Sequence, residues 1–143
     1  MSFVKYKLIT DASTINAFFG EGFPFNIRKD LKEIEDIDDF KKNLLEAVAC
    51  PDCPPQRCCI SKIYIENKLI AFKKYRLTDG KKGKSGGYRC IVLYDEFHQL
   101  DDCVIVMVIH VFSKKISDDL KQKEKNYLNM VLKRIEDSIL KEE

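Results

Sequence analysis

Residues 104–109 read Val-Ile-Val-Met-Val-Ile, and this uninterrupted apolar run restricts the possible folds more than any other feature. Its β-branched residues favour a β-strand, and six residues are far fewer than a membrane-spanning helix needs. A strand that is apolar on both of its faces must be covered on both faces. The sequence therefore predicts that this run is a central strand of a buried sheet.

Other segments supply neighbours for that strand. Strand patterns cover residues 3–9, 60–65, 69–77, 88–97 and 103–112, and the first of these is the weakest. Turns are predicted at residues 66–68 and 99–102, where polar residues separate two apolar runs. The last four strands are thus expected to form consecutive antiparallel hairpins.

Two helical patterns precede most of the strands. Asp11 or Ser13 can cap a short helix that continues through Phe19. Residues 28–49 place apolar side chains three and four positions apart, which predicts one long amphipathic helix.

A third helical pattern follows the strands. Ser117 is predicted to cap it, with Asp118 and Asp119 in the first turn, where the helix dipole favours acids. Helices and strands are therefore segregated along the chain, with N-terminal helices and one C-terminal helix. This order predicts an α+β fold.

Length and charge limit the class of protein. The chain has 143 residues, which fits a single domain over 1–143. It has no apolar run of 18 residues and no signal-like N-terminus, so we expect a cytoplasmic protein without a membrane partner. The net charge is only +2, yet residues 57–89 hold ten basic and two acidic residues. One cationic surface is expected, with a polyanion as its partner.

Residues 81–89 are the centre of this basic segment. They contain Lys81, Lys82, Lys84 and Arg89, three glycines and no acid. Glycines let a backbone approach a ligand closely, and clustered cations attract phosphates. The segment is either a phosphate-binding loop or a solvated hairpin turn.

The segment 50–59 is rich in cysteine and proline and is predicted to be a loop. Cys50 and Cys53 have the C-x-x-C spacing of a zinc site, and Cys58 and Cys59 follow as an awkward second pair because adjacent side chains point apart. Structural zinc, reduced free thiols and a disulfide or redox role all remain open for these four residues.

The motif in residues 83–89, Gly-Lys-Ser-Gly-Gly-Tyr-Arg, resembles the RelE/HigB-type toxins of bacterial type II toxin–antitoxin modules. The strand that follows it, the upstream Lys-Tyr-Arg-Leu at 74–77 and the Val-Phe-Ser-Lys-Lys at 111–115 also fit that family. The resemblance covers residues 69–135, about half of the chain. The cysteine-rich loop is not part of the family pattern.

This resemblance implies a RelE-like fold, in which helices pack on a twisted antiparallel sheet of about four strands. It implies an endonuclease that cuts mRNA, in most members at the ribosomal A site. It also implies that a cognate antitoxin protein neutralises the enzyme. It further implies that the 2′-hydroxyl of the RNA is the nucleophile, that a cyclic phosphate is left, and that no metal or other cofactor is needed.

The resemblance also assigns residues. Cations that stabilise the phosphorane are expected at five positions: Lys74, Arg76, Arg89, Lys114 and Lys115. RNA contacts are expected at five more: Lys81, Lys82, Lys84, Tyr88 and His110. Among the first set, Arg89 is the best candidate for bidentate phosphate binding. The general base is open, and Lys74 or Lys84 could serve only if neighbouring cations lower its pKa.

One departure from the family leaves the function open. The family often has a tyrosine early in its last segment, whereas this chain has Leu120 and Lys121 there. His110 can replace that tyrosine if it faces the cleft, but a histidine in an apolar strand can also be a core residue. The alternatives are a non-catalytic RNA- or protein-binding module of the same fold, or a gyrase-directed toxin of the related ParE type.

Overall fold

The computed structural model describes residues 4–50, 58–77, 87–113 and 119–141. Its elements in chain order are β1 (Tyr6–Ile9), α1 (Ala12–Phe19), α2 (Ile27–Lys32), α3 (Ile37–Val48), β2 (Cys59–Ile65), β3 (Lys68–Leu77), β4 (Tyr88–Leu100), β5 (Cys103–Ser113) and α4 (Gln122–Lys141). The predicted α+β class is confirmed. None of the helices in the described ranges is long and apolar enough to cross a membrane.

The five strands form one mixed sheet in the order β1-β5-β4-β3-β2. Strands β2 to β5 are antiparallel neighbours, as predicted, and β1 adds a fifth strand that runs parallel to β5. The expectation of about four strands, all antiparallel, therefore differs from the structure at this edge. A parallel partner needs a long connection, and the three helices that follow β1 begin that connection.

Helices cover both faces of the sheet. On the face that bears Phe72, here called the Phe72 face, the ring of Phe19 in α1 lies 6.3 Å from Phe72 and 6.5 Å from Tyr127 in α4. On the opposite face, here called the Tyr88 face, Phe40 in α3 lies 6.5 Å from Tyr88. Strand β5 is consequently central and almost fully buried, as its sequence predicts.

The helix predicted over residues 28–49 is two helices, α2 and α3. The chain leaves helical geometry before Asp36, whose φ of −127° and ψ of 94° are extended. The Asp36 carboxylate accepts a hydrogen bond from the backbone N–H of Asp39 at 3.0 Å. This side chain competes with the helical hydrogen bonds and starts a new helix, a local effect that apolar spacing does not reveal.

The predicted C-terminal helix begins later than expected. Helix α4 starts at Gln122, and Asp119 lies before it rather than in its first turn. The Glu124 side chain accepts from the backbone N–H of Lys121 at 2.8 Å, which satisfies the helix start. The predicted cap Ser117 and its neighbour Asp118 lie outside the described residues.

Two tight turns agree with the predicted hairpins. Glu66 and Asn67 join β2 to β3 with φ values of 52° and 66°, and Asp101 and Asp102 join β4 to β5 with φ values of 54° and 62°. Two consecutive residues with positive φ match the right-handed twist of the strands. These turns set the register of the β2–β3 and β4–β5 hairpins next to each turn.

Candidate nucleic-acid interface

Strand register places one predicted cation and the predicted histidine in a single row across the sheet. Lys74 in β3 pairs with Ile91 in β4, and Ile91 pairs with His110 in β5. Directly paired residues project their side chains from the same face, so Lys74 and His110 share the Phe72 face. Their Cα atoms are two strand spacings apart, which is roughly 10 Å.

The next row brings two arginines side by side. Arg76 in β3 pairs directly with Arg89 in β4, which pairs with Phe112 in β5. Arg76 projects from the Phe72 face because alternate residues of a strand share a face, and Phe72, Lys74 and Arg76 are alternate residues of β3. Arg89 projects from the same face because it pairs directly with Arg76. The structure therefore brings together Lys74, Arg76, Arg89 and His110, all of which were predicted from the sequence.

The two arginines differ in accessibility. Arg89 is only 3 % exposed, whereas Arg76 is exposed. Lys74 is intermediate, with 24 % of its side chain exposed. A bound phosphate can therefore reach Arg76 and Lys74 more readily than Arg89, which the sequence had favoured.

The neighbouring lysine Lys73 is excluded from this face. It projects from the Tyr88 face and is 4 % exposed. Its ammonium lies 5.2 Å from the ring centre of Tyr75 and 4.8 Å from that of Tyr94, within the range of cation–π attraction. Strand alternation thus assigns the two adjacent lysines to different environments.

Asp119 is a functional candidate that the sequence analysis treated only as a helix-start acid. Its two carboxylate oxygens contact two lysines, Lys74 Nζ at 3.5 Å and Lys125 Nζ at 3.0 Å. The hydrogen bond from Lys125 holds the pKa of Asp119 below its ordinary value, with further help from the Leu120 N–H and the charge of Lys74. An ionised acid therefore lies among the cations.

A cleft of about 610 Å³ opens beside these groups. Four charged residues line the cleft: Lys74, Arg76, Asp119 and Lys125. The rest of the lining is Tyr75 and the start of β2 with the residue before it, Cys58, Cys59 and Ile60. The cleft is bordered by the β2–β3 edge and the segment that leads into α4. The cleft contains three cations and one carboxylate, so its net charge is positive, which favours phosphate binding.

His110 borders a second cleft, of about 380 Å³, which shares Asp119 with the first. Its Nδ1 lies 2.7 Å from the Asp30 carboxylate of α2, and its ring stacks on Phe25 with centroids 4.4 Å apart. The side chain is 20 % exposed. His110 is therefore a hydrogen-bonded residue at a cleft wall rather than an enclosed core residue.

One predicted site residue lies on the other face of the sheet, and five lie outside the described residues. Tyr88 projects from the opposite face and packs edge-on against Phe40. Five predicted cations, Lys81, Lys82, Lys84, Lys114 and Lys115, lie outside the described residues. Strand β4 begins at Tyr88 and β5 ends at Ser113, and these two residues are cross-strand partners.

The cysteines do not form a recognisable metal centre where they are described. Cys50, Cys58, Cys59, Cys90 and Cys103 are free thiols, and Cys53 lies outside the described residues. Among the ranges that the structure covers, no group of three or more His, Cys, Asp or Glu side chains is arranged to hold a metal ion. Burial raises the pKa of the Cys59 thiol above its ordinary value. The zinc hypothesis stays a prediction.

Comparisons with known proteins give no relative. The chain matches no family model, no curated protein and no solved structure. Its function must therefore be inferred from the arrangement of its own residues.

Proposed function

We propose that this protein is a metal-independent endoribonuclease, the toxin component of a type II toxin–antitoxin module. One observation carries the proposal: cross-strand pairing gathers Lys74, Arg76, Arg89 and His110 on one face of the sheet. These are residue types that can bind a phosphodiester and move a proton. The resemblance of residues 83–89 to the RelE/HigB-type motif supports the same function.

The proposed reaction is attack of a ribose 2′-oxygen on the adjacent phosphorus. A P–O2′ bond forms, the P–O5′ bond breaks, and the products are a 2′,3′-cyclic phosphate and a 5′-hydroxyl. Arg76 and Lys74 contact the phosphate oxygens, and the buried charge of Arg89 adds stabilisation to the phosphorane. Binding of the phosphate displaces Asp119 from Lys74.

The wider biological assignment follows from the resemblance. We place the protein in the cytoplasm, where mRNA, in the ribosomal A site, is its substrate and a small antitoxin protein its inhibitor. The fold is assigned to the RelE-like type, with the parallel strand β1 as an addition to the four antiparallel strands.

Cleavage of a defined RNA in the presence of EDTA tests the proposal. The purified protein should cut a single-stranded RNA, or an mRNA on ribosomes, and leave a cyclic phosphate. A matched substrate with 2′-deoxyribose at the cleavage position should bind equally well and stay intact, because it lacks the nucleophile. The Lys74→Ala/Arg76→Ala double variant should lose cleavage, whereas Lys7→Ala, which removes an exposed cation from β1, should retain it.

A non-catalytic RNA-binding role is the second candidate, and the absence of the family's tyrosine favours it. Leu120 and Lys121 occupy the region where the family often has that tyrosine. This role predicts salt-dependent RNA binding with no cyclic phosphate product, with or without ribosomes. That result would contradict the endoribonuclease assignment.

A further inference from the structure

The structure contains a histidine–carboxylate pair beside the proposed phosphate site. His110 Nδ1 and an Asp30 carboxylate oxygen are 2.7 Å apart, although the two residues are 80 positions apart in sequence. The side chains are 20 % and 13 % exposed, so the hydrogen bond is partly shielded from water. Such a pair is a recurrent device for holding an imidazole ready to accept a proton.

The backbone explains why this pair forms. The β4–β5 register shifts between Ile91 and Val92, whose partners are His110 and Val108, so Ile109 is an extra residue in β5. Bulges of this kind redirect side chains and are common beside active sites. Strand β1 pairs with β5 only as far as Met107. Beyond Met107, helix α2 lies against that edge of β5.

Asp30 in α2 contacts this part of the β5 edge, which β1 does not pair. The same carboxylate oxygen that contacts His110 also accepts the backbone N–H of Val111 at 3.1 Å. The carboxylate is thereby held in place by the strand, not only by the histidine. Because a carboxylate accepts at Nδ1, the neutral ring carries its proton there and leaves Nε2 as the acceptor.

The orientation of the ring is also fixed. Its plane lies 20° from that of Phe25 at 4.4 Å and 31° from that of Phe112 at 5.0 Å. Phe112 is the cross-strand partner of Arg89, and His110 shares a row with Lys74. The histidine therefore lies at the β5 end of the Lys74 row, and Phe112, two residues further along β5, lies at the β5 end of the arginine row.

We propose that His110 is the general base of the RNA-cleaving site and that Asp30 is its positioning residue. In the step assigned to them, Nε2 takes the proton of the 2′-hydroxyl as the P–O2′ bond forms and the P–O5′ bond breaks. The leaving 5′-oxygen takes a proton from water, and the imidazolium later returns its proton to the resulting hydroxide. The Asp30 carboxylate stabilises the imidazolium between these events.

This inference rests on the proposed endoribonuclease function, so its test separates binding from chemistry. His110→Gln should lower kcat by about 10²–10⁴-fold, the usual contribution of a general base. The Kd for the 2′-deoxy substrate, measured by fluorescence anisotropy, should stay within about twofold because the cations are intact.

The chain supplies a matched control in its other histidine. His98 also contacts a carboxylate through Nδ1, that of Asp95 at 2.8 Å, but it lies at the far end of β4. His98→Gln should therefore leave kcat, KM and Kd unchanged. Thermal melts of both variants show whether either substitution unfolds the protein.

Asp30→Asn tests the positioning role, since asparagine keeps the shape and an acceptor oxygen but removes the charge. We expect kcat to fall by at least about tenfold while KM changes by less than about twofold. The acidic limb of the wild-type pH–rate profile should disappear in His110→Gln. Other charged groups around the second cleft can also titrate, namely Lys29, Glu33, Asp119, Lys121 and Glu124, and the His110→Gln profile isolates their contribution.

Each outcome has a distinct meaning. Cleavage by His110→Gln within about threefold of the wild type overturns the role of His110 but leaves the endoribonuclease proposal intact. A parallel loss of binding and cleavage in His110→Gln overturns it too, since His110 would then be a binding contact. Absence of cleavage by the wild type overturns both proposals.

Discussion

At the scale of single residues, two arginines face each other across β3 and β4. Arg76 and Arg89 are directly paired, and Lys74 is two positions from Arg76 on the same face. Arg89 is buried, whereas Arg76 is exposed. The Arg76 guanidinium is therefore the member of the pair that an anion can contact directly.

The first prediction concerns Arg76, the more accessible of the two arginines. Arg76→Ala should weaken binding of single-stranded RNA and reduce the slope of log Kd against log salt concentration by about 0.7, the value for one phosphate contact. Stability should change by less than about 0.5 kcal/mol, because the Arg76 side chain is exposed. Fluorescence anisotropy at several salt concentrations measures this slope.

Lys7→Ala is the control for Arg76→Ala, since Lys7 is an exposed cation on β1 at the opposite edge of the sheet. An equal loss of slope in both variants would mean that RNA binding is diffuse rather than centred on the Phe72 face.

The second prediction concerns Asp119, which links Lys74 to Lys125. Asp119→Asn should tighten RNA binding by about two- to fivefold, because both lysines become available and a negative charge leaves the cleft. Asp137→Asn removes a similarly exposed acid that pairs with Lys133 on α4, at 3.4 Å. Comparable tightening in that control would show a general charge effect and would count against a local role for Asp119.

The lowered pKa of Asp119 also gives a pH dependence. A carboxyl group whose pKa is lower in the folded state stabilises the protein when it is ionised, above its ordinary value of 3.8. The free energy of unfolding of the wild type should exceed that of Asp119→Asn at pH 5 to 7, and the difference should vanish as the pH falls through the lowered pKa. Urea unfolding across this range measures it, and a constant difference down to the acid limit would contradict the ion-pair explanation.

At the scale of elements, the Asp36 side chain caps the start of α3, after the break that separates it from α2. Asp36→Ala should destabilise the protein by about 1 kcal/mol, because the backbone N–H of Asp39 loses its hydrogen-bond acceptor. Asp38→Ala removes an exposed acid from the first turn of the same helix without removing the cap, so it controls for the helix dipole. Chemical unfolding measures both, and equal losses would mean that charge rather than capping is responsible.

At the scale of the whole molecule, the Phe72 face connects the sheet to α1 and α4. Phe72 is fully buried, and Phe19 bridges it to Tyr127. Phe72→Ala should lower the free energy of unfolding by about 3–5 kcal/mol, the usual cost of deleting a buried aromatic ring. Tyr64→Ala, at an aromatic side chain in β2 that is 54 % exposed, should have a much smaller effect.

Calorimetry and urea unfolding of Phe72→Ala test this expectation together. A loss below about 1 kcal/mol would show that the two helices on this face do not depend on the ring. Two separate unfolding transitions would show that the sheet and its helices are not one cooperative unit.

Much of the fold could be predicted from local features of the sequence. The apolar run of β5 required cover on both faces, and the two polar turns specified the antiparallel pairs β2–β3 and β4–β5. The Asp11 cap of α1 was also readable, since its carboxylate accepts from Thr14 three residues later. The break at Asp36 was missed because helical periodicity continues across it, and the parallel pairing of β1 was missed because no short-range signal encodes a distant partner.

The candidate site, like the fold, could be predicted from the sequence only in part. By itself, the sequence determined that a cationic segment exists and that Lys74, Arg76, Arg89 and His110 belong to strands, because charge and strand alternation are local properties. Only the tertiary structure decided that these four side chains share a face, that Arg89 is buried and Arg76 exposed, and that Asp119 and Asp30 lie among them. Register and burial depend on which strands and helices meet, and residues 80 positions apart carry no mark of their contact until the chain has folded.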